Sequence, residues 1–292
     1  MKTLIFYNPL SGNGGGEAKA NELKVEIAER GEVEVLDVTK VDDLAAMVGE
    51  LCEDDAIIIC GGDGTLCRFV NLVDCDSLKC DVLYAAVGSG NDFLRDAEKT
   101  VDDAPFSIKK HILGLPVVTV NGESYRFING VGYGIDGYCC EEGDRLKREK
   151  PSEAVNYTSV AIGGLLGKFK PKNAKVTVDG VEYSYKKVWL APTMHGRFYG
   201  GGMMCAPAQD RFCEDGKNTL VVWHCSGALR TLMAFPSIFK GEHVNKKKMI
   251  AIHTGHEIKV EFDAPCALQI DGETIVGVTS YSVSAKVTAP VK

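Results

Sequence analysis

The run Ile57-Ile58-Ile59-Cys60-Gly61-Gly62-Asp63-Gly64-Thr65 narrows the fold more than any other stretch of this chain. A short apolar strand breaks into glycines around one carboxylate and then enters a helix. Glycines let the backbone approach a bulky anion, and the amides of a following helix start point at phosphate. Asp63 would repel that phosphate unless it holds a cation or a substrate hydroxyl. An acid inside a phosphate cradle points to phosphoryl transfer.

The surrounding pattern supports a sheet with helices between its strands. Thr3 to Tyr7, Val33 to Val38, Ala56 to Cys60 and Val82 to Val87 read as buried strands. Between them lie a helix with Ala20, Leu23 and Ile27 on one face, a helix opened by Asp42 or Asp43 with Leu44, Val48 and Leu51 at helical spacing, and a helix over Thr65 to Leu72. Such alternation predicts crossover connections and a doubly wound, mostly parallel α/β sheet.

After Pro116 the pattern changes to strands with turn signals. Pro116 to Val120, Tyr125 to Asn129, Lys175 to Asp179, Val181 to Val188, Leu220 to His224, His256 to Phe262 and Ala267 to Ile270 are expected strands. A mainly helical insertion is expected over Pro151 to Phe169, and a charged surface loop over Glu141 to Lys150. The expectation is two domains: residues 1–115, a nucleotide-binding α/β domain, and residues 116–292, an antiparallel β-rich domain. The extreme C-terminus is expected to return to the first.

The formal charge of −7 argues against nucleic-acid binding, which leans on a basic surface. Eleven cysteines, none spaced Cys-x-x-Cys, fit no zinc template and suggest core thiols in a reducing cytoplasm. The apolar segment Leu4 to Tyr7 is too brief for a secretory signal, and no stretch approaches the roughly 20 apolar residues of a membrane span.

Loops leaving the carboxyl ends of parallel strands line the ligand crevice. Three such loops here are rich in glycine and small polar residues: Asn8 to Gly16, Gly61 to Thr65 and Gly88 to Phe93. One would be a bland turn; three after strands of one sheet point to a phosphate site. Neither a P-loop lysine motif nor a complete dinucleotide fingerprint is present.

Asn8-Pro9 with Ser11-Gly12, Gly61-Gly62-Asp63-Gly64-Thr65 and Gly88-Ser89-Gly90-Asn91-Asp92-Phe93 resemble the motifs of the diacylglycerol-kinase catalytic family. That family includes soluble bacterial lipid kinases and sphingosine kinases and is related to NAD kinases. The similarity continues through Asn129 to Asp136, Tyr199 to Gly202, Asp215-Gly216 and Leu268 to Glu273, covering nearly the whole chain. It implies an ATP site lined by Asn8, Pro9, Ser11, Gly12, Thr39, Gly61, Gly62, Asp63, Gly64, Thr65, Leu66, Cys67, Gly88, Ser89, Asn91 and Asp92. Thr39 reads equally well as the N-cap of the next helix. The chain departs from the pattern at Arg68, where relatives commonly carry an acid.

Phosphoryl transfer asks for positioning, charge neutralisation and a base for the incoming hydroxyl. Asp63, Asp92, Asp136, Asp271 and Glu273 are the candidate carboxylates. Asp271-Gly272-Glu273 alone would be a hairpin turn; the resemblance makes Asp271 or Glu273 the catalytic base, with Asp63 sharing the task. The resemblance also implies a magnesium ion outside the reaction centre, held by Asp215 and the carbonyls of Phe212 and Lys217, with catalytic magnesium arriving with ATP. A plain β-turn fits that loop as well.

The implied activity is ATP-dependent phosphorylation of a lipid hydroxyl, with diacylglycerol giving phosphatidic acid as the leading pair, in phospholipid metabolism. An NAD kinase-like or other small-alcohol kinase and a catalytically lapsed regulator are the alternatives. Relatives suggest homodimers and peripheral contact with the inner membrane surface. Ser226 to Lys240, with Lys246-Lys247-Lys248 after it, is either an interfacial segment or a helix packed on its own domain.

Overall fold

The computed structural model describes residues 1–88, 91–150, 155–213 and 215–285. They form two compact units that divide between Leu115 and Pro116. The expected return of the C-terminus to the first unit falls outside the described residues.

The first unit is built on β1 (Lys2–Tyr7), β2 (Glu32–Asp37), β3 (Ala56–Gly61), β4 (Asp81–Ala86) and β5 (Phe106–Ser107), ordered β2-β1-β3-β4-β5. The first four are parallel; β5 runs antiparallel to β4. Consecutive residues Leu4, Ile5 and Phe6, like Ile57, Ile58 and Ile59, are all buried. Side chains of successive residues point to opposite faces, so both faces of the sheet are covered. The helices are α1 (Gly15–Ile27), α2 (Leu44–Gly49), α3 (Asp63–Leu72), α4 (Asp92–Asp96) and α5 (Lys109–Ile112). α1 buries Ala20 and Leu23, as its spacing predicts. Asp43 caps α2, its carboxylate accepting the Ala46 amide at 2.8 Å. The chain leaves β1 for one neighbour, β2, and returns past it to the other, β3. The topological switch therefore lies between β1 and β3, where ligands bind outside the carboxyl ends.

The second unit is a ten-stranded sheet. Its strands are β6 (Val117–Val120), β7 (Glu123–Arg126), β8 (Gly130–Tyr133), β9 (Lys172–Val178), β10 (Val181–Val188), β11 (Thr193–Met194), β12 (Asn218–Trp223), β13 (Ile250–Gly255), β14 (Glu257–Ile270) and β15 (Glu273–Ser284). The main path runs β13-β12-β11-β8-β14-β15-β6-β7, with β9 and β10 branching from β14. Every pairing is antiparallel. Tyr133 stacks on Phe262 at 3.9 Å within a core of valines, isoleucines and leucines from these strands.

The strands expected at His256 to Phe262 and Ala267 to Ile270 are one strand, β14, whose register against β15 shifts between Glu261 and Cys266. Pro265 lies in that gap and has no amide to donate, so a continuous strand reads as two. A second correction concerns Glu141 to Lys150, which is not a loop. It is the outer part of α6 (Ile135–Glu149), where Arg145 bridges Glu142 and Glu149, each at 2.6 Å. Charges at i,i+3 and i,i+4 lace a solvated helix face and disguise it as loop composition. The expected insertion contains α7 (Tyr157–Gly163), capped by Asn156 accepting the Ser159 amide at 3.0 Å; Pro151 to Ala154 lie outside the described residues.

Candidate active site

In the first unit the three glycine loops converge at the β1/β3 switch. Ser11 Oγ and Thr65 Oγ1 lie 3.0 Å apart, joining the first loop to the second. Gly12 has φ +57°, and a Cβ there would come within 2.6 Å of Val87 Cγ1 and 3.1 Å of the Gly88 nitrogen. Only glycine lets the first loop pass that close to the third. Tyr84 donates its hydroxyl to the Gly61 carbonyl at 2.9 Å and to Asn91 Oδ1 at 3.3 Å, while Asn91 donates to the Gly88 carbonyl at 3.0 Å. Asn8 fastens the first loop by accepting the Leu10 amide on its side chain at 2.9 Å.

Asp63 ties the second loop to the third. Its two carboxylate oxygens accept the amides of Asp92 at 2.7 Å and Phe93 at 3.2 Å, so it caps α4 from outside. Asp92 is buried with Arg95 3.7 Å away. Both oxygens of Asp63 thus meet the backbone of the third loop, which suits a positioning group. Leu66 and Cys67, expected at the nucleotide site, turn their side chains into the core from α3. Gly64 is exposed, and Arg68 is exposed on the same helix. Pro9 is half-buried beside Asn8. Thr39 caps no helix: its amide and hydroxyl donate to Asp37 at 2.9 and 2.7 Å, just past β2. Ser89 lies outside the described residues.

In the second unit Asp271 and Gly272 form the two-residue turn between β14 and β15, with φ of +46° and +99°. Positive φ at both central positions is the geometry that an Asp-Gly pair favours in a hairpin. Asp271 is fully engaged: it accepts the amides of Ile128 at 2.6 Å, Asn129 at 2.8 Å and Gly130 at 3.0 Å. Burial still raises its pKa above the ordinary carboxylate value, against the pull of those amides and of Arg211. Glu273 is exposed at the first position of β15, and its carboxylate has no hydrogen-bond partner among the described residues. Of the two candidate bases, one is spoken for and the other is open.

Asp136 sits near the N-terminus of α6, buried, accepting from the Tyr199 hydroxyl at 3.2 Å. Burial pushes its pKa up to about 6. A Cβ on Gly132 would lie 2.4 Å from Asp136 Oδ2 and 2.5 Å from Gln269 Nε2, so the glycine-rich strand β8 leaves space for these polar groups. Gln269 in turn accepts the Gly272 amide at 2.6 Å and steadies the hairpin.

The Diacylglycerol kinase catalytic domain matches residues 2–118, and the YegS C-terminal NAD kinase beta sandwich-like domain matches residues 129–288. The chain belongs to the diacylglycerol kinase catalytic-domain family. Membership makes it a phosphotransferase of the kinase type and implies a nucleotide as phosphate donor. A protein of Mycobacterium tuberculosis named diacylglycerol kinase is 26% identical over 260 residues, spanning 83% of this chain and 80% of that one. The same figures hold for that species' two strains, CDC 1551 / Oshkosh and ATCC 25618 / H37Rv. A crystal structure of a diacylglycerol kinase from Bacillus anthracis str. Sterne aligns at TM-score 0.61 and 18% identity, covering 98% of this chain and 94% of that one. At that identity the likeness is one of fold.

The magnesium loop that the family resemblance implied does not assemble among the described residues of this kinase. The Asp215 carboxylate is 2.7 Å from the Lys217 ammonium, which holds it below the usual carboxylate range. The Lys217 carbonyl accepts from Gln209 Nε2 at 3.1 Å, and the Asp215 carbonyl lies 2.6 Å from His256 Nε2. A lysine charge occupies the carboxylate that a divalent cation would need. No group of three or more His, Cys, Asp or Glu suited to a metal occurs among the described residues. The amide of Phe212, whose carbonyl was the third expected ligand, donates to Asp210 Oδ1 at 2.9 Å.

Arg211 is the residue of this kinase that the sequence left unremarked. It donates to the Ile128 carbonyl at 3.1 Å and reaches Asn129 Oδ1 at 3.4 Å, bracing the segment whose amides hold Asp271. It lies in irregular backbone between strands, where no periodicity marks it. Only its place between the Tyr199 and Asp215 motifs could have drawn attention to it.

Proposed function

We propose that this kinase transfers the γ-phosphoryl group of ATP to the hydroxyl of a lipid, with diacylglycerol giving phosphatidic acid as the leading pair. The observation that carries the reading is the convergence of three glycine loops at the β1/β3 switch of a unit that matches the diacylglycerol kinase catalytic domain. The name of the Mycobacterium tuberculosis relative supports a diacylglycerol acceptor.

Roles follow from the chemistry of each group. Backbone amides and small hydroxyls of the first and second loops, with Ser11 and Thr65 among them, would hold the phosphates of the nucleotide. Asp63 fixes the third loop against the second and keeps that cradle in shape. The nucleotide, arriving with magnesium, supplies the phosphoryl group. Glu273 takes the proton of the acceptor hydroxyl, because an exposed carboxylate with no hydrogen-bond partner among the described residues is available to do so. Asp271 positions the hairpin that carries Glu273. The hydroxyl oxygen gains the phosphoryl group, its proton passes to Glu273, and the nucleoside diphosphate leaves.

Incubation with labelled ATP, magnesium and a total lipid extract, followed by mass spectrometry of the labelled product, tests the reading. Label in phosphatidic acid is the expected result. Label in a nucleotide product such as phosphorylated NAD, with none in lipid, would overturn it.

A further inference from the structure

One surface of the second unit combines charge and exposed apolar groups in a way that neither the glycine loops nor the hairpin uses. α8 (Ala228–Ala234) exposes Leu229, Arg230 and Met233, with Leu229 67% and Met233 69% accessible. Leu229 and Met233, spaced i,i+4, share one helix face, and Arg230 sits three residues before Met233. A cavity of about 560 Å³ opens beside them, lined by Arg230, Met233, Asn245 and the run Lys246-Lys247-Lys248. Among the described residues no carboxylate lines it.

From Ser226 to Lys248 the chain carries five basic residues, Arg230, Lys240 and the three lysines, against a single acid, Glu242. The whole chain has 33 basic and 40 acidic residues. Positive charge is therefore gathered on this face against the trend of the molecule. None of the five cations forms an ion pair among the described residues. Free cations around a hollow suit a phosphate-bearing headgroup, and solvent-facing Leu229 and Met233 suit the boundary where acyl chains begin. A nucleic acid would use the charges but give the apolar pair nothing to bury in.

We propose that this face docks on an anionic phospholipid bilayer, the cavity receiving a headgroup phosphate while Leu229 and Met233 enter the acyl boundary. The contact uses none of the glycine-loop residues and needs no nucleotide.

Cosedimentation with phosphatidylcholine vesicles, with and without phosphatidylglycerol, tests the proposal in the absence of ATP and diacylglycerol. The intact chain is expected to bind only the anionic vesicles, and less as salt rises. Replacing Lys246, Lys247 and Lys248 together by Gln should weaken that binding roughly a hundredfold. Leu229→Ser with Met233→Ser should weaken it by about tenfold or more. Circular dichroism confirms that both variants fold. Equal binding to neutral vesicles, no binding to anionic ones, or unchanged binding by either folded variant would overturn the proposal. So would displacement of the vesicles by duplex DNA. The assay contains no phosphoryl donor and reads no turnover, so its failure and failure of the lipid-kinase reading are separate results.

Discussion

Replacing Asp271 by Asn separates anchoring from catalysis. The side chain keeps its size, and Asn tolerates the left-handed backbone at φ +46°, so the turn itself is not strained. What changes is one oxygen, which becomes an NH₂ group. The oxygen that accepts both Asn129 and Gly130 can be retained, but the NH₂ then faces the Ile128 amide, a donor against a donor. A buried donor left unsatisfied costs about 1–3 kcal/mol. Loss of the negative charge adds little, because burial already disfavours it and raises the pKa of Asp271. The second unit should therefore lose about 1–3 kcal/mol of stability. Both tryptophans of the chain, Trp189 and Trp223, are buried in that unit, so urea unfolding followed by their fluorescence reports on it. Glu273→Gln should behave in the opposite way. An exposed, unpartnered side chain should leave stability within about 0.5 kcal/mol. Turnover should fall by roughly 10²–10⁴-fold with nucleotide affinity retained. An Asp271→Asn protein as stable as wild type, or a Glu273→Gln protein with wild-type turnover, would refute the assignment.

Asp63→Asn should weaken the cap on α4 by about 0.5–2 kcal/mol and loosen the third loop; calorimetric titration should show weaker ATP binding, and unchanged affinity would remove Asp63 from a positioning role. His243 is buried, stacked on Trp223, with Nε2 2.9 Å from the Cys205 carbonyl, and burial lowers its pKa to about 4. Because the unfolded state binds the proton more readily, this imidazole's contribution is fully present above about pH 6.5 and is lost as pH falls toward about 4, by roughly 3 kcal/mol. Stability measured from pH 7 down to 4 should fall less steeply in His243→Gln. Asp136, with its pKa raised to about 6, acts with the opposite sign: its contribution fades as pH rises through about 6, and Asp136→Asn should abolish that part of the profile. Lys217→Met should free the Asp215 carboxylate, so that magnesium raises the melting temperature of the variant but not of wild type; equal magnesium responses would refute the ion-pair account.

Much of the first unit was legible because β1, β3 and β4 carry apolar runs, and each loop at the switch carries its own glycines. Local pattern was enough to place β1, β3 and β4 and the three glycine loops that follow them. The same approach failed over Glu141 to Lys150, where i,i+4 ion pairs gave a helix the composition of a loop. It also divided β14, because Pro265 interrupts a ladder without ending the strand.

The residues by themselves settled the family, the alternation of the first unit and the antiparallel character of the second, and offered a small set of candidate carboxylates. Tertiary structure alone decided what each carboxylate is doing. Asp63 meets two amides about 30 positions away, Asp271 meets three amides more than 140 positions away, and Asp215 meets a lysine two positions on. Glu273 meets none. Hydrogen-bond partners of this kind are chosen by sheet order and register, which close long stretches of chain, and periodicity along a sequence carries no record of them.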